Sequence, residues 1–503
     1  MGWILGVVGF LVVVIVHDLV QTKRAILRNF PVLGHLRYLL EAVGPELRQY
    51  IVTSNNEELP FSRDRRRWVY ASAKLQNNYA GFGTDNDLEH SSNYIIIKHD
   101  TLGRPDDGHK DDGYPLPCAK VLGASRARRH AFRPASVANI SGMSFGSLSS
   151  AAIEALNRGA AICGCLHNTG EGGIAPHHLH GGDLIWQLGT GYFGARSPDG
   201  RFDREECVRK VAEHPVKAIE IKLSQGAKPG LGGVLPAEKV SAEISRIRGV
   251  PMGQSVISPS GHNAFSSIDE MLDFVEDLAD ATGVPVGIKS AVGELGFWTE
   301  LADRMAEEDR GVDYIAIDGG EGGTGAAPFV FSDHVALPFK VGFSRVYSIF
   351  AERGVHQDVV WVGSGKLGFP ETALLAFCLG ADLIAVGRES MLAIGCIQAQ
   401  RCHTGHCPTG VATQNRWLVR GLDPTHKSAR LANYVVTLRK ELTRLSHACG
   451  VAHPGLLTAN HMEILDGQFG SRPLREVFGY QGGWELPSDA DAAEVVRVME
   501  SRP

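Results

Sequence analysis

No cysteine occurs before Cys118, and the nine cysteines of this 503-residue chain are odd in number and unevenly spaced. That pattern excludes a disulfide framework and points to a reducing cytosolic compartment. An excess of positive charge is also missing. The formal charge is −6, so nucleic acid is not expected as a partner. No Gly-x-Gly-x-x-Gly follows the first candidate strand, where a dinucleotide-binding sheet carries it; the sequence there reads Gly142-Met-Ser-Phe-Gly. Any nicotinamide cofactor must be used elsewhere. Lys and Arg are absent ahead of the apolar run at residues 2–16, and no small-residue cleavage box follows it. Both absences speak against a cleaved signal peptide.

What is present begins with that run. It is slightly short of the roughly 20 residues of a spanning helix, and Lys23, Arg24 and Arg28 lie on its C-terminal side. The expectation is a single-pass anchor in the cell membrane with the body of the protein in the cytoplasm; an interfacial or buried helix is the competing reading. Hydrophobic residues make up 44% of the chain, enough for a sizeable core. Glycine is abundant, at 59 residues against a usual share of ~7%. The glycines gather in short words such as Glu-Gly-Gly and Gly-Gly-Thr-Gly, which suits backbone that approaches phosphates or substrates.

Between about residues 25 and 130 the sequence is irregular and rich in Asn, Asp, Arg and Pro. Its basic run, Arg63-Asp-Arg-Arg-Arg-Trp, reads as an exposed face or as a docking patch. After Pro134, short β-branched runs alternate with amphipathic segments. Candidate strands cover 135–141, 160–166, 218–223, 252–257, 284–290, 314–318, 359–363 and 383–387. Candidate helices cover 149–158, 268–281, 298–308, 345–353 and 371–379. Eight strands with crossovers in this length predict an α/β fold, a closed (β/α)8 TIM barrel. The expected organisation is an anchor at 1–22, an N-terminal extension at 23–130 and the barrel at 131–395. A cysteine loop at 396–420 and a helical tail at 421–503 complete it.

In such a barrel the chemistry sits at the C-terminal ends of the strands. The unusual words fall there: Ser141, Gly142, Met143 and Ser144; Glu171 within Asn-Thr-Gly-Glu-Gly-Gly; Gly322, Gly323, Thr324 and Gly325; Gly363, Ser364 and Gly365; Gly387 and Arg388. Glycine turns opening onto helix N-termini offer N–H groups to a phosphate; tight left-handed turns are the plainer reading of any one loop. Lys289, at a strand tip, suits the negative charge of a reduced flavin, or is a solvated lysine. Lys222, Gln225 and Lys228, spaced by three, suit a small dicarboxylate, each ammonium acting as a point charge. Cys396, Cys402 and Cys407 lie six and five residues apart, after a glycine and before a proline. Such clustering fits an iron–sulfur centre, zinc completed by His403 or His406, or simple packing.

Taken in order, these words resemble the FMN-binding synthase region of the glutamate synthase large (alpha) subunit. Those carrying the resemblance are Ile-Ser-Gly-Met-Ser-Phe-Gly-Ser-Leu-Ser (140–149), Asn-Thr-Gly-Glu-Gly-Gly (168–173) and Lys-Leu-Ser-Gln-Gly-Ala-Lys-Pro-Gly (222–230). Gly-Gly-Thr-Gly-Ala-Ala-Pro (322–328) and Cys-His-Thr-Gly-His-Cys-Pro-Thr-Gly-Val-Ala-Thr-Gln (402–414) complete the set. The resemblance spans roughly residues 135–420. It implies a barrel holding FMN beside a 3Fe-4S cluster ligated by Cys396, Cys402 and Cys407. It further implies reductive amination of 2-oxoglutarate to L-glutamate through 2-iminoglutarate, with Lys222, Gln225, Lys228 and Glu171 at the substrate.

A full subunit of that family also carries a glutaminase domain with an N-terminal cysteine and a long C-terminal β-helix; the resemblance stops short of both, and neither is expected in this chain. Ammonia is therefore expected from solution or from a separate glutaminase, or another amine replaces it, as in N-methylglutamate synthases. The expected electron donor is a ferredoxin, a separate NADPH-oxidising subunit or a quinol. A membrane-tethered flavin/iron–sulfur electron carrier without amination activity is the remaining alternative. The word His262-Asn263 departs from the family's His-Asp, and Glu321 enters the glycine word after the sixth strand.

Overall fold

The segment Val-Lys-Ala-Ile-Glu-Ile-Lys is buried at six of its seven positions, as a parallel strand covered on both faces must be. It is one of eight such strands: β1 (Ala138–Ile140), β2 (His167–Asn168), β3 (Leu184–Leu188), β4 (Val216–Lys222), β5 (Val286–Ser290), β6 (Tyr314–Asp318), β7 (Val360–Ser364) and β8 (Leu383–Val386). They are parallel and follow one another in chain order. β8 pairs with β1, Ile384 opposite Ala138, so that the barrel closes. The computed structural model describes residues 2–21, 24–48, 57–88, 90–105 and 113–501. Lys23, part of the expected basic flank, lies outside the described residues.

Two of the expected strands are corrected. Residues 160–163 continue the helix Ser150–Cys163, which Ser149 caps at its N-terminus and Gly164 ends in the left-handed conformation; alanines extend a helix readily. The second strand is instead the short His167–Asn168. Residues 252–257 do not join the barrel either. Val256–Ile257 pairs antiparallel with Val234–Leu235 in a separate two-stranded ribbon, and Ile257 is exposed, which a barrel strand would not permit. The missing strand is Leu184–Leu188, where Trp186 and Gln187 are buried.

The N-terminal end of the barrel is closed from outside. Cys118 and Leu122 pack with Ala218, Tyr314, Val360 and Leu383 near the starts of four strands. Thus residues just before the barrel plug its floor. After the barrel, the helix Pro424–Ala448, capped by Asp423, packs on Ser150–Cys163. Gly159 makes room there, since a Cβ on it would come 2.7 Å from Leu431 Cδ2. The 421–503 segment is helical only in part. Its strands Met462–Asp466 and Ser471–Pro473 form a sheet with Ser92–Ile97.

The chain divides into two compact units, residues 1–67 and 68–503. In the first, the helix Gly2–Val20 is long and apolar enough to cross a membrane by length and composition. Near its end the buried Asp18 accepts hydrogen bonds from Val32 N (3.0 Å) and His35 Nε2 (2.9 Å). The basic run begins the helix Arg63–Ala73. Arg66 is buried against Glu58 rather than exposed.

Candidate functional site

The strands end in a cavity holding about 1540 Å³ of empty space, its open mouth included. Most of the expected site residues line it: Ser141, Gly142, Met143, Ser144, Glu171, Lys222, Gln225, Lys228, Lys289, Gly322, Gly323, Thr324, Gly325, Ser364, Gly365, Gly387, Arg388 and Cys402. Gly363, Cys396 and Cys407 do not. Gly363 is a packing position within β7, where a Cβ would come 2.8 Å from Leu367 and 2.9 Å from Phe339. Among the described residues, seven lysines and arginines line the cavity against three carboxylates. In a chain with a formal charge of −6, this cationic hollow selects anions.

At the tip of β4, Lys222 Nζ donates to Glu171 Oε1 (2.8 Å) and to Gln225 Oε1 (2.6 Å). The carboxylate is tightly housed. A Cβ on Gly189 would lie 2.5 Å from Glu171 Oε2, and one on Gly233 would lie 2.7 Å from Oε1. Burial pushes the Glu171 carboxyl up, but Lys222, Lys228 and Arg248 outweigh it and hold it below the usual range. Lys228 is buried and donates to Gly232 O (3.2 Å). Burial first, and Lys222 second, pull its ammonium below the ordinary lysine value.

His262 supports this corner from behind. Its Nε2 donates to Lys222 O (2.9 Å), so Nδ1 accepts from Tyr192 OH (2.8 Å). Burial lowers the imidazole's pKa, which keeps it neutral for that arrangement.

At the tips of β5 and β6, Lys289 Nζ lies 3.6 Å from Asp318 Oδ2. Asp318 is itself fixed, accepting from Gly226 N (2.9 Å) and Ser364 Oγ (2.7 Å). Arg388 donates to Glu321 O and packs over Gly323, where a Cβ would come 2.5 Å from Arg388 Cδ. Deeper in the barrel, Glu220 Oε1 accepts from Asn168 Nδ2 (2.8 Å) and Gln187 Nε2 (2.6 Å).

Sequence reasoning missed Arg248. It is the last residue of the short helix Ala242–Arg248, is buried, and reaches the cavity. One guanidinium nitrogen donates to Phe145 O (3.0 Å), while its buried Nε has no hydrogen-bond partner among the described residues. Burial lowers its pKa to about 10, with Glu171 opposing. No motif announces it, since an arginine before a helix-ending glycine is commonplace. Lys239 and Gln187 were missed for the same reason, and Asp318 was seen only as the start of a glycine word.

Around the cysteine loop, Lys239 Nζ donates to Cys402 O (2.8 Å) and Ala412 O (3.3 Å). Burial raises the Cys407 thiol, but N–H groups of Ala412, Thr409 and Val411 with the Thr409 hydroxyl bring it below its ordinary value. Cys402 is pushed up by burial and by Cys407 nearby. Gln398 N donates to Cys396 Sγ at 3.4 Å. Among the described residues, no three His, Cys, Asp or Glu side chains form a group that could hold a metal ion. Cys402 and Cys407 interact, but the three thiols are not gathered into a ligand set.

Comparison with known proteins bears on this site. The family model for a conserved region in glutamate synthase matches residues 124–452. A glutamate synthase large subunit-like protein of Bacillus subtilis is 37% identical over 497 residues, which cover 92% of this chain and 94% of that one. An archaeal glutamate synthase (NADPH) of Methanocaldococcus jannaschii is 36% identical over 352 residues. That match covers 69% of this chain but 65% of the archaeal protein, a little under two thirds of its length. Among solved structures, a sulfite-bound flavocytochrome b2 variant covers 83% of this chain and 88% of its own at 14% identity. Its TM-score of 0.44 is too low to bear on function.

Proposed function

The chain belongs to the glutamate synthase family, and we propose that it is an oxidoreductase that reductively aminates 2-oxoglutarate to L-glutamate. The observation that carries this reading is the cationic corner. Lys222, Lys228 and Arg248 converge with Gln225 and Glu171 on one cavity. Three buried cations suit the two carboxylates of a short dicarboxylic acid, and the partnerless Nε of Arg248 is a donor waiting for an acceptor.

Forming 2-iminoglutarate from the oxo acid and ammonia expels one water. A proton must reach the departing hydroxyl, and one must leave the nitrogen. Glu171, tied to Lys222 and among the substrate ligands, is the group placed to move those protons. Lys222 and Gln225 hold its carboxylate in position, and His262 holds the backbone under Lys222. Glycines at 189 and 233 leave no room for it to swing.

FMN is the cofactor of this reading, and the other half of the cavity fits it. Gly322, Gly323, Gly365 and Gly387 leave backbone rather than side chains along the wall. Arg388 and Lys289 supply positive charge for a phosphate and for an electron-rich ring. Cys396, Cys402 and Cys407 are the proposed holders of a 3Fe-4S cluster on their spacing and on the N–H donors at Cys396 and Cys407, and the three thiols would draw together to ligate it. When bound, FMN would supply the hydride that the imine carbon accepts, and an iron–sulfur centre would supply electrons one at a time. A ferredoxin or a separate NADPH-oxidising subunit is the proposed donor. Gly2–Val20 is proposed as a tether to the cell membrane, with the barrel in the cytoplasm.

The test is anaerobic reoxidation. Chemically reduced protein mixed with 2-oxoglutarate and ammonium should regain its oxidised flavin absorbance only when both are present. Reoxidation indifferent to either compound would sink the proposal. A faster reaction with methylamine than with ammonium would replace the amine but keep the oxo acid.

A further inference from the structure

One pair of thiols takes no part in the chemistry proposed above. Cys163 ends the helix Ser150–Cys163, and Cys165 lies two residues before β2. Gly164 between them adopts φ 69°, ψ 27°, a left-handed conformation that glycine takes without a Cβ penalty. The reversal brings the two Sγ atoms to 3.5 Å. Both cysteines are free. A disulfide closes at about 2.03–2.05 Å, so the two sulfurs are in contact but not bonded.

We propose that Cys163 and Cys165 form a reversible dithiol–disulfide site, oxidised by a small-molecule disulfide of the glutathione type. The pair sits at a junction. On the helix Pro424–Ala448, Arg439 donates through its two terminal nitrogens to Cys163 O (2.8 Å) and Gly113 O (2.8 Å). On the other side, Leu166 N donates to Asn139 Oδ1 (2.8 Å), tying the next residue to β1. Cys163 is 8% exposed and Cys165 2%, and Ile162 and Gly164 beside them are open to solvent. Attack therefore begins at Cys163.

The chemistry agrees with that order. The neighbouring Cys165 thiol lowers the Cys163 pKa, burial opposes it, and Arg439 adds to the lowering. The thiolate is the nucleophile in such exchange. Cys163 sulfur attacks one sulfur of the oxidant, breaking its S–S bond and releasing one thiolate. Cys165 then loses its proton, and its sulfur displaces the second thiolate from Cys163. One disulfide is reduced as another forms, and two electrons with two protons leave on the two thiols released. Cys163 and burial together raise the Cys165 thiol, and burial likewise pushes Cys207 up to about 12 and raises Cys118, Cys378 and Cys449, so Cys163 is the one lowered thiol among these six. Selectivity within one protein follows. A close dithiol in a reducing compartment is more often a redox-responsive element than a structural bond.

The test equilibrates full-length holoprotein, purified without air, with oxidised glutathione, then quenches, alkylates and maps it by mass. The expected result is that the peptide holding Cys163 and Cys165 becomes two hydrogens lighter and loses both alkyl labels. Dithiothreitol should restore both, while Cys118, Cys207 and Cys378 remain labelled throughout. Cys165→Ser should trap glutathione on Cys163. Full labelling of both cysteines after oxidation, a stable glutathione adduct on Cys163 in the unaltered protein, or an unmodified Cys163 in Cys165→Ser would each overturn the proposal.

Discussion

Lys222 and Lys289 are register partners on adjacent strands, yet each ammonium belongs to a different carboxylate. Lys222 bonds Glu171 at 2.8 Å, and Lys289 approaches Asp318 at 3.6 Å. Two buried cations side by side repel each other, and separate counter-charges offset that repulsion. Burial pulls Lys289 down, but Asp318 and Glu220 outweigh it and raise it above the ordinary lysine value. The division separates two parts of the cavity, at β4 and at β5 and β6, which the proposed function assigns to the oxo acid and to the flavin.

That division predicts different consequences for like substitutions. Lys222→Met strands Glu171 without its nearest partner and should cost about 2–5 kcal/mol in kcat/KM, with flavin content unchanged. Lys289→Met should instead lower the flavin reduction potential, because it removes a cation that favours the reduced ring. Steady-state kinetics and a spectroscopic redox titration separate the two. Identical effects from both variants would contradict the division.

The pH dependence has a defined sign. Lys228 is held below its ordinary pKa by burial and by Lys222, so it loses its proton earlier than a solvated lysine on the alkaline side. A carboxylate ligand needs the protonated form. Affinity for 2-oxoglutarate should fall as pH rises through the lowered value. Lys228→Arg should move that fall to higher pH, which binding titrations across the alkaline range will register.

Much of this arrangement could be read before any coordinates. The strand ends announced themselves through glycine words next to lysines, because a barrel mouth that admits ligands must combine bare backbone with charge. Leu184–Leu188 escaped notice because its inward Gln187 and tight flanking glycines interrupt any β-branched run. Residues 160–166 misled for the opposite reason, as an apolar stretch whose first part completes a helix. Arg248 was invisible: its place depends on how the 234–257 ribbon and helix fold back over the mouth, and nothing local encodes that. The cysteine spacing was legible, but spacing alone does not gather three thiols.

Cys402→Ser tests the loop. If Cys396, Cys402 and Cys407 hold an iron–sulfur centre, the variant should lose its visible iron–sulfur absorbance and iron content while keeping a folded, flavin-binding barrel. Circular dichroism with iron analysis checks both points, and unchanged iron would remove Cys402 from the ligand set.

Removing residues 1–22 should release a soluble flavoprotein, since Gly2–Val20 is the helix long and apolar enough to span a bilayer among the described residues. Membrane fractionation reads the result. A truncated protein that still pellets with membranes would assign the attachment elsewhere.

The most direct measurement of the central claim follows the nitrogen atom. Anaerobically reduced protein, given 2-oxoglutarate and isotopically labelled ammonium for a single turnover, should yield labelled glutamate in proportion to the flavin reoxidised. Recovery of the oxo acid intact, with no label in glutamate while the flavin reoxidises, would contradict it.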